Sequence, residues 1–176
     1  EAEVLDLLAR PPGDGIRALG SNHSWSDIAA GVDVSIDLSR MNSVKPFVED
    51  GTGFVRVGAG CTLQNLLDKL HAETDQTLPT LGAVKEQTIA GAISTGTHGS
   101  GLQSLSHFVA SVRLATYDTE GRPAIRDYQE GDALKAARCG LGCMGIVLSV
   151  DLRTVPKYKV AETVRRHETI EDLLRV

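Results

Sequence analysis

Aromatic residues make up only 4% of this 176-residue chain, with a single tryptophan, while glycine numbers 18. A chain so poor in rings and so rich in glycine uses backbone turns to approach a ligand. Basic residues are outnumbered too, 18 Lys+Arg against 23 Asp+Glu, for a formal net charge of −5. That balance excludes the basic footprint of a nucleic-acid binder. It leaves room for a small anionic ligand held by backbone amides rather than by bulk charge. No apolar run approaches the roughly 20 residues that span a bilayer, and no secretory signal opens the chain, so no membrane partner is expected. The three cysteines, Cys61, Cys139 and Cys143, form no CxxC pair. Their odd number argues against a disulfide framework and fits three ordinary thiols in a reducing cytoplasm.

Several catalytic and metal motifs are also missing. There is no HExxH, no clustered Cys/His set, no GxSxG and no GxxxxGK[ST]. The five histidines, His23, His71, His98, His107 and His167, are scattered. A His23–His98 metal pair lacks a nearby carboxylate set, so no metal is expected.

What is present reads as alternating short elements. "EAEVLDLLAR" places Val4, Leu7 and Leu8 at helical spacing, and "PPGDG" stops that helix. "IRAL" and "VDVSIDLS" (32–39) are strand candidates. "SVKPFVEDGTGFVRVGAG" carries two alternating runs around a glycine turn, the strongest hairpin signal in the chain. "TLQNLLDKLHAE" (62–73) is an amphipathic helix with Thr62 as N-cap. The low-charge stretch from Thr74 to Gly101 reads as poor core and poor regular structure, suited to a surface where backbone meets ligand. "FVASVRLATYDTEGRPAIRDY" is strand, turn and strand. "GDALKAARCG" is a short helix closed by Gly140, with Asp132 and Arg138 matching its dipole. "MGIVLSVDLRTV" is a β-branched strand, and "ETIEDLLRV" begins a last helix. Antiparallel hairpins with scattered helices predict an α+β fold rather than a doubly wound sheet.

Three glycine-rich clusters stand out. The first is "GSNHSWSDI" (20–28), where Gly20 permits a turn and Ser21, Asn22, Ser24 and Ser26 supply short donors and successive amides. That is the makeup of a phosphate-binding nest, although a turn with an N-cap ahead of a short helix at Asp27–Ile28 reads equally from these residues alone. The second is "TIAGAISTGTHGSG" (88–101), with Thr88, Ser94, Thr95, Thr97, His98 and Ser100 between glycines. A linker would lack "IAGAI", which calls for burial, so a small-residue segment packed on a polyanionic cofactor is the better reading. The third is "CGLGCMGIVLSV" (139–150). Its GxGxxG spacing precedes a strand, whereas a dinucleotide loop opens a helix. Its glycines serve instead to bring backbone close to a base or to a neighbouring strand.

Taken in order, "LGSNHSWSDIA", "LPTLGAVKEQTIAGAISTGTHGSG" and "GLGCMGIVLSVDLRTVP" resemble the FAD-binding (PCMH-type) domain of the vanillyl-alcohol-oxidase-type flavoproteins. Within that superfamily the resemblance is to the sugar-1,4-lactone oxidases and alditol oxidases, and it covers about residues 10–156. It implies a two-lobed FAD-binding fold with small sheets flanked by helices and FAD between the lobes. Residues 1–41 would then be the remainder of the N-terminal lobe, 42–156 the second lobe, and 157–176 the start of a substrate domain. The chain opens mid-pattern, as a piece that has lost its natural start would.

The resemblance also implies roles for particular residues. Gly20, Ser21, Asn22, His23 and Ser24 would cradle the pyrophosphate through their amides. His23, followed by Ser24, holds the place of the histidine joined to the flavin 8α-methyl carbon, so FAD would be tethered through His23. Many relatives carry Gly-x-Gly-His-Ser there; this chain has Asn22 at the second glycine, and alditol oxidases also have a larger residue. Ala83, Thr88, Gly91, Ser94, Thr95, His98 and Gly99 would line FAD, and the Ile146 backbone would meet its adenine end. Gly82 falls on the dioxygen gatekeeper position beside the flavin, where glycine is typical of many oxidases.

The implied activity is oxidation of a CH–OH group in a sugar lactone or polyol, with dioxygen reduced to hydrogen peroxide. The substrate-binding and base residues would lie in a domain outside this chain, completed by the rest of the enzyme or by a second chain. Two alternatives remain at this stage. One is a flavin dehydrogenase passing electrons to a quinone or cytochrome, and the other is a binding module without cofactor.

Overall fold

A computed structural model describes residues 1–10, 13, 15–30, 32–100 and 103–175. The "PPGDG" helix stop and Gly101 of the second cluster fall partly or wholly outside these residues. The predicted opening helix is α1, Ala2–Leu8, which buries Val4 and Leu8. "IRAL" is β1 (Ile16–Leu19), and the next strand candidate narrows to β2 (Val34–Asp37). These two strands pair in parallel as a separate two-stranded sheet. A parallel pair needs a crossover rather than a tight turn, and residues 20–30 and 32 are described between the two strands. A short 3-10 helix at Asp27–Ala29 lies in that crossover, and Ser26, at its N-cap, makes no side-chain capping bond.

The main sheet holds β3 (Val44–Glu49), β4 (Thr52–Gly58), β6 (Val109–Tyr117), β7 (Pro123–Tyr128) and β8 (Ile146–Arg153) in the order β3-β4-β8-β6-β7. Every pairing in it is antiparallel. The hairpin predicted at "EDGTG" turns on Asp50 and Gly51, with φ 48° and 74°. Positive φ at both central residues is the signature of a type I′ turn, whose twist matches its strands. Alternation sorts the sheet's two faces. Val55 sits opposite Leu152, and Val57 opposite Val150, on the apolar face. Arg56 sits opposite Asp151 on the other, where its guanidinium donates to both carboxylate oxygens at 2.7 and 2.8 Å. That pairing, chiefly through its hydrogen bonds, holds the Arg56 pKa above its ordinary value.

Helices cover the apolar face. α2 (Leu63–Glu73) starts where expected, with the Thr62 hydroxyl accepting from Asn65 N, and it buries Leu63, Leu66 and Leu70. α4 (Gly131–Arg138) buries Leu134 and Ala137. It ends at Cys139 rather than Gly140, and Arg138 Nε donates to Val109 O at 2.8 Å instead of capping its own helix. α5 (Ile170–Leu173) is a single exposed turn.

The stretch from Thr74 onward departs from its reading as poor core. It contains β5 (Gln76–Thr77), paired with β9 (Val155–Pro156), and α3 (Ile89–Ser94). Leu78, Ile89, Ala92 and Ile93 are fully buried in the same core as α2 and the sheet. The intervening Ala90 and Gly91 are only half-buried, so low charge here marks burial on one face of the helix, as "IAGAI" called for. No helix among the described residues is long and apolar enough to cross a membrane, and the described cysteines are all free, Cys61 buried and the other two exposed.

Candidate cofactor cleft

The three glycine-rich clusters converge on one open cleft of about 430 Å³. Its walls include Gly20, Ser21, Asn22, His23 and Ser24 from the first, and Thr88, Gly91, Ser94 and Thr95 from the second. The third supplies Leu141, Gly142, Gly145, Ile146 and Val147. Of the residues expected to line a cofactor, Ala83, His98 and Gly99 stand outside these walls, as does Gly82. A Cβ built on Gly82 would lie 2.7 Å from Thr97 Cγ2 and 3.7 Å from the His98 carbonyl oxygen. His98 Nδ1 is 2.8 Å from the Gly99 carbonyl oxygen. A carbonyl only accepts, so that ring nitrogen carries the proton.

Local contacts explain the convergence. A Cβ at Gly20 would sit 2.7 Å from Thr88 Oγ1 and 3.9 Å from Gly91 Cα, so only glycine lets the first loop lie on the start of α3. Ser21 Oγ donates to Glu86 O at 2.6 Å and ties the loop to the same segment. That segment is anchored from behind by Leu63 N to Gln87 O (2.9 Å) and Ile89 N to Cys61 O (2.8 Å). Thr88 Oγ1 accepts from Gly91 N and caps α3. The second and third clusters touch where Cys139 Sγ donates to Ser94 O at 3.4 Å. Replacing Thr88 by alanine removes both the cap and the Gly20 contact. The expected cost is about 1 kcal/mol of stability together with weaker cofactor retention, checked by denaturant melts and equilibrium dialysis.

The first loop has the features of an anion nest. Asn22 adopts φ 55°, in the left-handed region. Glycine takes this conformation freely, and asparagine is among the side chains that tolerate it. Asn22 therefore does the conformational work of a glycine at this position. Among the described residues, no N–H from Ser21 to Trp25 donates to a backbone carbonyl. These amides are free to face an anion. No Asp or Glu side chain is among the described residues lining the cleft, despite the chain's formal charge of −5, while Arg17 and His23 are. An open cleft with free amides, a cation and no carboxylate among its described lining residues fits a dianionic pyrophosphate. The His23 ring is exposed and has no hydrogen-bond partner among the described residues. Among those residues, no group of three or more His, Cys, Asp or Glu side chains could hold a metal ion.

Sequence reasoning did not place Trp25, Gln87, Leu141 or Val147 at this cleft. Gly142 and Gly145 carried a signal as glycines that bring backbone close to a neighbour. Gly145 does so against β6, where its Cβ would lie 2.5 Å from Ala115 O.

This fold is that of a PCMH-type FAD-binding domain. The family model described as an FAD binding domain matches residues 2–121, and the chain belongs to that family. A long-chain alcohol oxidase from an uncultured marine euryarchaeote is 47% identical over 99% of this chain and 36% of its own length. An L-gulono-1,4-lactone dehydrogenase from Mycobacterium tuberculosis H37Rv is 38% identical over 96% of this chain and 38% of its own length. The chain thus spans just over a third of these curated relatives. The crystal structure of cholesterol oxidase from B. sterolicum shares the fold at a TM-score of 0.71, with 22% identity over 80% of this chain and 30% of its own.

Proposed function

We propose that this chain is the FAD-holding part of an oxidoreductase that oxidises a CH–OH group of a sugar lactone or polyol and passes the electrons to dioxygen. The observation that carries the reading is the meeting of all three glycine-rich clusters at one cleft with no carboxylate among its described lining residues and a first loop that offers unbonded amides. Bound FAD supplies hydride acceptance and onward electron transfer, which no side chain here provides. The amides of residues 21–24 hold the pyrophosphate. Gly20 lets that loop lie against Thr88 and Gly91, Ile146 offers its backbone to the adenine end, and His23 presents a free imidazole for attachment to the 8α-methyl carbon. Ala83, His98 and Gly99, outside the cleft walls, are assigned to the cofactor by the resemblance alone. Gly82 is the dioxygen gatekeeper candidate on the resemblance alone; a Cβ there would lie 2.7 Å from Thr97 Cγ2, so the glycine permits a close approach of Thr97.

A dehydrogenase is the second reading, since an L-gulono-1,4-lactone dehydrogenase is 38% identical over 96% of this chain. Two measurements test the proposal. The purified chain incubated with FAD and passed over a desalting column is expected to elute yellow. A colourless chain would favour the binding-module reading and sink the FAD assignment. In a protein of the relatives' full length, substrate-driven hydrogen peroxide release in air is expected. Turnover only with a quinone or cytochrome acceptor would assign a dehydrogenase instead.

A further inference from the structure

Two described large apolar side chains both stand in solvent and line the cleft, Trp25 and Leu141. Trp25 is fully exposed, at 105% relative accessibility. An indole is the largest apolar surface a side chain offers, and left in water it contributes nothing to the fold. Leu141 is held on the other wall with φ 49°, a left-handed conformation that leucine resists. Strained residues of this kind cluster where a ligand is clamped. Both rims therefore present an apolar group to whatever fills the cleft.

The chain itself says which part of the ligand Trp25 meets. It lies two residues after His23, and two residues span at most about 7 Å of extended backbone. A ring anchored at His23 is therefore within reach of the indole. We propose that Trp25 is a positioning residue that packs its indole on the isoalloxazine ring of bound FAD and shields that ring from water. This rests on the FAD reading above and adds the identity of the ring that Trp25 covers. The adenine ring would be the wrong partner, because the tether proposed above holds the flavin end near His23.

Because the chain contains one tryptophan, its indole emission reports Trp25 alone. Titration with FAD is expected to quench that emission and to protect the residue from acrylamide, while ADP leaves both unchanged. A Trp25→Ala variant is expected to bind FAD about tenfold more weakly, and Trp25→Phe to recover most of that loss. The unfolding midpoint of either variant without FAD should match the parent, since the side chain packs on nothing. The His23→Gln variant should still show the quenching, because stacking does not need the covalent bond. Emission that persists while the chain retains its yellow colour would overturn the proposal and leave the FAD reading intact. So would equal quenching by ADP. A chain that retains no FAD would overturn the FAD reading and this inference with it.

Discussion

A His23→Gln chain is expected to give up all of its flavin on denaturation, whereas the parent keeps a flavin-fluorescent band on an acid-fixed gel under ultraviolet light. The argument starts from the loop. His23 is exposed, lines the cleft and has no hydrogen-bond partner among the described residues. Its ring nitrogens are therefore available as nucleophiles, with no neighbouring group to be displaced. Joining one of them to the 8α-methyl carbon would replace a C–H and an N–H by a C–N bond. The two electrons and two protons released would pass to dioxygen, giving hydrogen peroxide. Glutamine is close in size and polarity but cannot make that bond. It should keep the loop's shape, because the turn is set by Asn22 at φ 55° and by the Ser21 hydroxyl on Glu86 O at 2.6 Å. Noncovalent FAD should therefore still bind, held by the amides of residues 21–24. Fluorescence that survives in His23→Gln would move the attachment site elsewhere. An Asn22→Gly variant separates the two roles of this loop. It is expected to keep the covalent band, since glycine adopts positive φ at least as readily.

Much of this arrangement could be read before the structure was seen. The helices α1, α2 and α4 and the strands of the main sheet follow from apolar spacing and from turn residues such as Asp50-Gly51, which are local signals. What was hidden was mostly nonlocal or very short. The parallel pairing of β1 with β2 depends on a crossover, and nothing within "IRAL" or "VSID" declares it. β5 and β9 have two residues each, too few to show a period. α3 was the avoidable omission. Ile89, Ala92 and Ile93 stand at i, i+3 and i+4 behind a threonine cap; "IAGAI" called for burial, which the structure shows, but interleaved glycine and alanine hid its helical form. At the site, the glycines and hydroxyls were legible because backbone approach requires those residue types. Trp25 and Leu141 were not, since a rim side chain is recognised only once the far wall is in place. Asn22 shows the reverse case. As a letter it breaks a glycine pattern, and as a backbone angle it preserves that pattern.

Substituting Gly145 by alanine is expected to cost about 3 kcal/mol of stability, combining backbone strain with steric conflict. Its φ is 130°, a conformation that side-chain-bearing residues rarely adopt. A Cβ there would also lie 2.5 Å from Ala115 O and 2.9 Å from Thr116 Cβ, on β6. Neither neighbour can yield easily, because Ala115 is fully buried and registered against Ile146 in the ladder between β6 and β8. That ladder is already irregular, with a register shift between Arg113 and Leu114 that marks a β-bulge. Any shift of β8 away from the clash would carry Ile146 and Val147, both cleft residues, with it. The variant should therefore lose FAD affinity along with stability, seen as an earlier denaturant midpoint and as colour lost on desalting. Gly142→Ala is the matched control. It has a φ of 82° and open space around its Cβ. Backbone strain alone should cost it about 1 kcal/mol. Equal losses in the two variants would show that strain, not the approach of β8 to β6, is what Gly145 serves. A much larger loss at Gly145 would show that the close strand contact fixes this wall of the cleft.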